Sequence, residues 1–364
     1  MKYKISHMHG LFNKKSGLFL LAILVSLAVK AQQSGHGLKQ KNAIDAAERY
    51  KLWYDKPAAN WNEALPVGNG FIGAMIFGNV QNERIQLNES TIWGGGPNNT
   101  IDSGAKPYIT RVRSLLAGKQ YTEAQALANS KLGPKGNSGM PYQLAGDLYI
   151  SLPGTDSVSD YYRDLDIGNA TAVVRYTMNG VHYKREYFTS FGRNVLMMRF
   201  TADQPGKISC KVKLQSPLRS SVTINEKKEL VLSGWGSDHE NQKGQIKFNV
   251  LTTVKNSGGR RVADTSGITV SHADTAVIYL SIATNFVNYH DISADALKRA
   301  EDILTRASKD SFDALLHSNI RFYRSYFNRV KLDLGINEAA RQPTDLRIKN
   351  FSGNNDTQLA ELYF

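Results

Sequence analysis

Between about residues 50 and 290, apolar and polar side chains alternate with a period of two, the mark of strands that bury one face. The clearest stretch is Ala172–Phe188, where AVVRYTM is followed by Asn179-Gly180 and then VHYKREYF. Asn-Gly accepts positive φ at both positions, so a two-residue type I′ hairpin is predicted here. Comparable strands are expected at Val195–Phe200, Lys207–Leu214, Leu230–Leu232, Gln245–Val254, Gly267–Val270 and Thr275–Ala283. Many strands joined by short turns indicate a mainly β chain built as a large antiparallel β-sandwich. A helical insertion, Lys106 to Ser130, interrupts it, with Val112, Leu115 and Leu116, then Ala124, Leu127 and Ala128, at helical spacing.

Near residue 291 the period changes from 2 to 3.6. Ser293 is placed to cap a helix whose Leu297, Ala300 and Leu304 share a face. A second helix is expected from about Asp310 to Asn328, with Phe312, Leu315, Leu316, Phe322, Tyr323, Tyr326 and Phe327 as a stripe packed into core. Val330–Leu334 alternates as a short strand ended by Gly335, and Asp356 is an N-cap for a last helix carrying Leu359, Leu362 and Tyr363. An apolar stripe that stops two turns after its cap has little to pack on, so the chain reads as truncated at the start of a helical domain.

At 364 residues the chain exceeds what one core usually covers. Residues 1–31 read as a cleaved signal peptide: Lys2, Lys4, Lys14 and Lys15 precede the apolar run Leu18–Val29, and Ala31 offers a cleavage site before Gln32. The run is too short to span a bilayer, and no cysteine near the site offers a lipid anchor, so the expected product is soluble, periplasmic or secreted. Losing this segment lowers the net charge from +13 to +8. The remaining basic residues are interleaved with acids, as in Glu226-Lys227-Lys228-Glu229, so no nucleic-acid surface is expected. Cys210, the single cysteine, lies on the apolar side of an alternating strand and reads as a buried, inert thiol.

Residues 52–97 concentrate the aromatic and glycine signal. Three of the 4 tryptophans (Trp53, Trp61, Trp93) fall here, with Gly68 and Gly70 bracketing Asn69, and Gly94, Gly95 and Gly96 leading into Pro97. Large aromatic surfaces on tight backbone suit a stacking, polar ligand such as a sugar, or the well-packed edge of a sandwich. The tryptophans form either an exposed platform or core anchors. Paired carboxylates for glycoside hydrolysis are sought nearby among Asp55, Glu63, Glu89, Asp238 and Glu240, none of them specific. Asn88, Glu89 and Trp93 are the candidates for the rim of a sugar pocket, a polar cluster against an aromatic wall.

Other chemistries find no motif. The 8 histidines are scattered without metal-ligand spacing, and no cofactor or metal is expected. Gly68-Asn-Gly70-Phe-Ile-Gly73 matches G-x-G-x-x-G but leads into a strand rather than a helix, which excludes a dinucleotide fold. No G-x-S-x-G elbow occurs.

LWYDKPAANWNEALPVGNGFIGAMIFG with IQLNESTIWGGGP, Tyr162-Arg-Asp-Leu-Asp166, Gly180-Val-His-Tyr-Lys-Arg-Glu-Tyr-Phe-Thr-Ser190, Ala283-Thr-Asn-Phe286 and Pro343-Thr-Asp-Leu-Arg347 together resemble glycoside hydrolase family 95, the α-L-fucosidases. The resemblance runs from about residue 50 to 364. It implies an N-terminal β-supersandwich (50–290), a helical linker (291–335) and the first turns of an incomplete (α/α)₆ barrel (336–364). It also implies hydrolysis of terminal α-L-fucosyl linkages with inversion, and a fucosylated glycan and the missing barrel as partners. The family's catalytic glutamate and its asparagine–aspartate pair lie in the barrel and match no position here, so no catalytic residue is assigned and the fragment is expected to be inactive. A fragment of an α-L-galactosidase, or of a phosphorylase or trehalase-like relative with the same plan, and a stand-alone carbohydrate-binding module are the alternatives.

Overall fold

A computed structural model describes residues 49–99, 102–133, 139–154 and 156–364. The predicted signal peptide lies outside these residues. The strands form two antiparallel sheets. The larger has nine strands in the order β1 (Lys51–Tyr54), β6 (Val158–Asp166), β7 (Thr171–Met178), β8 (Val181–Ser190), β9 (Val195–Ala202), β16 (Thr275–Thr284), β13 (Lys247–Ser257), β12 (Leu230–Trp235) and β11 (Ser220–Ile224). The smaller has seven: β14 (Arg260–Asp264), β15 (Gly267–Ala273), β10 (Ile208–Gln215), β5 (Gly146–Ser151), β4 (Asn82–Glu89), β3 (Ile72–Ile76) and β2 (Leu65–Gly68). The predicted hairpin forms with Thr177 opposite His182 and Met178 opposite Val181, and Asn179 and Gly180 take φ of 53° and 72°.

The main core lies between the sheets, with Ile76, Ile85, Leu87, Leu148 and Ile150 from one side meeting Val174, Met198, Val250, Ile278 and Leu280 from the other. A second core covers the outer face of the larger sheet. There Phe188, Val195, Met197, Leu251 and Tyr279 pack under α3 (Ala296–Ala307) and α4 (Phe312–Phe327), through Ala300, Leu304, Phe312 and Leu315. Burial on both faces explains why Val195-Leu-Met-Met198 is an unbroken apolar run rather than an alternation.

Two buried arginines serve the architecture. Arg185, fully buried, pairs with Glu83 at 3.2 Å and donates to the carbonyls of Asn79 and Val80, pinning the turn before β4 to the facing sheet. Arg163 donates to the carbonyls of Lys56 and Glu63 at 2.7 Å each, and its guanidinium lies over the Tyr54 ring. Burial pushes the Cys210 thiol up to about 11, which keeps it inert.

Four expectations change. The insertion is two helices, α1 (Lys106–Ala117) and α2 (Tyr121–Lys131), broken at Gly118-Lys119, where Lys119 has φ 59°. Asp295, not Ser293, caps α3, its carboxylate accepting from Lys298 N at 3.0 Å, so Ala296, Ala300, Leu304 and Ala307 face the sheet and Leu297 points to solvent. The aromatic stripe of α4 is core only in its first half: Phe322 and Tyr326 are exposed, while Tyr323 reaches the Ile167 carbonyl. Val330–Leu334 pairs with no strand among the described residues and is mostly exposed. Alternation alone does not make a strand where no sheet edge runs alongside.

The C-terminal segment is tied back to the first strand. Thr344 Oγ1, at the start of α5 (Thr344–Asn350), accepts from Trp53 N at 2.9 Å, and Asp345 pairs with Lys56 at 2.7 Å. Arg347 grips Asp356 through two bonds of 2.7 and 2.8 Å and also donates to Gln358, all three buried. Asp356 caps α6 (Thr357–Tyr363) as the sequence predicts. Leu52, Tyr54, Ile348, Phe351, Leu359 and Leu362 line an open apolar groove between these helices and β1.

Candidate functional site

Three loops meet at one end of the sandwich: the turn after β4, the approach to β5, and the connection from β12 to β13. Gly94 N donates to the Pro141 carbonyl at 2.9 Å, Gly95 N to Ser237 O at 2.8 Å, and Gln245 N to Gly95 O at 2.8 Å. Gln143 locks the arrangement, accepting from Ser237 N at 2.9 Å while its own N–H reaches the Ser237 hydroxyl. The glycines here answer to space. A Cβ on Gly96 would lie 2.5 Å from the Gln245 side chain, and one on Gly244 would lie 2.0 Å from the Gly236 carbonyl oxygen.

Under this junction sits Glu89, on the inward face of β4 and buried. Its Oε2 accepts from Thr91 N and Thr91 Oγ1, both at 2.7 Å. Thr91 Oγ1 is also 2.5 Å from Thr284 Oγ1, which accepts from Phe286 N at 3.2 Å. Each hydroxyl carries one proton, so with Glu89 ionised the chain runs in one direction: Phe286 N–H to Thr284, Thr284 to Thr91, Thr91 to the carboxylate. Burial raises the Glu89 pKa above its ordinary value, opposed by the two Thr91 bonds and by the charge of Arg299. Arg299, on α3, donates to the carbonyls of Thr284 and Phe286. Glu89 therefore joins β4, β16 and α3. Its carboxylate accepts from Thr91, and it organises the turn.

What it organises is aromatic. The Glu89 carbonyl accepts from Tyr142 Oη at 3.1 Å, and the next carbonyl, Ser90 O, accepts from Trp93 Nε1 at 3.0 Å. The two rings meet edge to face, centroids 5.2 Å apart at 63°. Ser90 N donates to Phe71 O at 2.8 Å, which brings the β2–β3 turn and the exposed Phe71 alongside. That turn is held by Asn69, whose Oδ1 accepts from Phe71 N and Ile72 N and whose Nδ2 reaches Ser190 O and Asn194 Oδ1 in the opposite sheet.

Of the three predicted rim residues, the structure places Glu89 and Trp93 together and Asn88 apart. Asn88 follows the alternation of β4 to the other face of its sheet, opposite Gly73. The tryptophans form neither one platform nor one core. Trp53 stacks on Tyr162 at the sheet edge, Trp61 donates to Gln86 on the outer face of β4, and Trp93 stands at the loop junction. The remaining acids do not converge. Glu63 accepts from Ala59 N and Asn60, Asp238 pairs with Lys243 and accepts from Gly244 N, and Asp55 is exposed. Among the described residues no group of three or more His, Cys, Asp or Glu is placed to hold a metal, and no helix is long and apolar enough to cross a membrane.

Sequence reasoning missed Tyr142, Gln143 and Thr284, which lie far along the chain from Trp93. The Met140-Pro141-Tyr142-Gln143 stretch before β5 carries no period and no motif. Only the Trp93–Tyr142 bridge reveals its role.

Residues 52–289 match the profile described as "Glycosyl hydrolase family 65, N-terminal domain", and residues 311–364 match "Glycosyl hydrolase family 95 catalytic domain". Among curated relatives, alpha-L-fucosidase 2 of Arabidopsis thaliana is 29% identical over 352 residues, covering 88% of this chain and 41% of that protein. A probable alpha-fucosidase A of Aspergillus niger is 25% identical over 342 residues, covering 88% and 42%. The chain thus spans less than half the length of these relatives. Among solved structures, a putative kojibiose phosphorylase from the human microbiome superposes with a TM-score of 0.47 at 12% identity, covering 83% of this chain and 41% of that one. Because the matched span covers more than half of the chain, the chain belongs to the family described as the glycosyl hydrolase family 65 N-terminal domain, and its C-terminal helical segment matches the family 95 catalytic domain.

Proposed function

We propose that this chain is the N-terminal part of an exported α-L-fucosidase that removes terminal α-L-fucosyl units from glycans with inversion. The observation that carries this reading is the alignment of 88% of the chain with an α-L-fucosidase, running through the sandwich into the catalytic segment. Export rests on the lysine-rich, apolar leader before Gln32. In this reading the sandwich supports the catalytic domain through the Trp53–Thr344 and Lys56–Asp345 contacts and supplies no proton-transfer group. Inversion needs an acid and a base facing one another across room for water. The buried carboxylates here each serve another partner: Glu83 serves Arg185, Glu89 serves Thr91, Asp147 serves Arg84, Asp164 faces Lys51, Asp356 serves Arg347 and Glu361 accepts from Leu334 N.

The test compares two products of the same locus on an aryl α-L-fucoside and the matching α-L-galactoside. The 364-residue chain alone is expected to release neither sugar. A product read through the whole family 95 catalytic region is expected to release L-fucose, with the β-anomer appearing first by NMR. Preferential cleavage of the galactoside, dependence on phosphate, or turnover that copurifies with the 364-residue chain would each overturn the reading. Mature protein beginning at Gln32 by N-terminal sequencing tests export.

A further inference from the structure

We propose that the corner formed by Trp93 and Tyr142, with Phe71 beside it, is a stacking subsite for a pyranose ring of a fucosylated oligosaccharide. The proposal rests on the glycan-processing reading above and adds to it a contact made by the sandwich itself.

Three observations converge. First, the rings are exposed: Trp93 by 42%, Tyr142 by 47% and Phe71 by 63%. Second, the polar handles of two of them are already engaged. Trp93 Nε1 donates to Ser90 O and Tyr142 Oη to Glu89 O, so what each ring offers outward is carbon surface in a fixed orientation. Third, the mount is rigid. The turn bearing Trp93 is packed against two other loops by glycines with no room for a Cβ, and the Glu89–Thr91–Thr284 chain anchors it from below. Ring surface held in place before binding loses little conformational entropy when it binds.

The surroundings select the occupant. The corner is bordered by hydrogen-bonding groups: exposed Ser90, and Asp238, Glu240 and Lys243 on the loop whose Ser237 carbonyl holds Gly95. A pyranose presents both halves of the match, C–H groups on one face and hydroxyls around the edge. Fucose adds a methyl where galactose carries a hydroxymethyl, which enlarges the apolar side. Trp61, on the outer face of the sheet, is excluded from this site by its position.

The experiment titrates the 364-residue chain with 2′-fucosyllactose and with lactose, following tryptophan emission and isothermal heat. Fucosyllactose is expected to bind and lactose to bind more weakly. Trp93→Ala is expected to weaken binding about tenfold, and Trp61→Ala to leave it unchanged. Should Trp93→Ala fail to fold, oxidation of the wild-type chain by N-bromosuccinimide with peptide mapping serves instead: fucosyllactose is expected to protect Trp93 and not Trp61. No binding, equal affinity for lactose, unchanged affinity in a folded Trp93→Ala, or no protection of Trp93 would overturn the proposal. Because binding is read without turnover, the subsite can fail while the fucosidase assignment stands, and the reverse.

Discussion

The turn around Asn69 and the turn after Trp93 are both written in glycine, and they need it for different reasons. Gly70 has φ 90° with nothing within 4 Å of where a Cβ would stand, so its requirement is one of backbone angle. The turn is held instead by the side chain of Asn69, buried and bonded to both sheets. At Gly94–Gly96 three loops pass so closely that space is required as well as, at Gly95 with φ 65°, backbone angle, and main-chain bonds do the holding. Two similar sequence signals thus mark a side-chain clamp and a backbone junction.

The sharpest way to break this comparison is at the junction. Gly244→Ala sets a Cβ 2.0 Å from the Gly236 carbonyl, a backbone atom with no rotamer to escape through. A loss of about 3 kcal/mol is expected, the upper end for overpacking, read as a fall in calorimetric Tm. The junction carries Trp93, so its emission should shift in the same variant. At the clamp the corresponding change is Asn69→Ala, which takes from the Phe71 and Ile72 amides their side-chain acceptor and removes the bonds to Ser190 O and Asn194 Oδ1 that tie the turn to the opposite sheet. A cost of about 2 kcal/mol is expected, measured the same way. Equal costs for Gly70→Ala and Asn69→Ala would show that the clamp is not what holds the turn.

Glu89 links the two regions, and its effect is a pH dependence. Burial holds its pKa above the ordinary value, so in the window between the two the folded chain keeps a proton that the unfolded chain has released. Stability from this group therefore falls as pH rises across that window. Glu89→Gln keeps an acceptor for Thr91 and removes the slope, so the variant should gain on the wild type as pH rises through it and hold that gain above. Parallel Tm–pH curves for the two proteins would contradict the assignment of this carboxylate.

How much of this was legible beforehand follows from the range of each interaction. Alternation is local, so the hairpin over Ala172–Phe188 is readable to within two residues at its ends, and its Asn-Gly turn to the residue. Capping is local too, and Asp356 is readable as a cap, whereas the cap placed at Ser293 lies two residues before the one the structure uses, Asp295, since Ser and Asp are both good N-cap acceptors. Strand status at Val330–Leu334 depends on a neighbour the sequence cannot supply. The same holds for the site. Trp93 and Glu89 are visible as a dense block, and Asn88 reads as part of the same polar cluster, although strand alternation sends adjacent residues to opposite faces. Tyr142 and Thr284 were invisible because only folding brings them to the turn after β4.

The smallest effect is expected at Gly70 itself. Alanine at φ 90° costs about 1–2 kcal/mol in a region that L-residues avoid, yet it also narrows the unfolded ensemble by about 0.4–1 kcal/mol. With no atom near enough to clash, those two terms are all that remain, and Gly70→Ala should lose about 1 kcal/mol. Asparagine tolerates positive φ better than alanine does, so Gly70→Asn should lose less still. A loss at Gly70→Ala as large as that at Gly244→Ala would mean that the first turn is also limited by space, and the distinction between the two glycine signals would collapse.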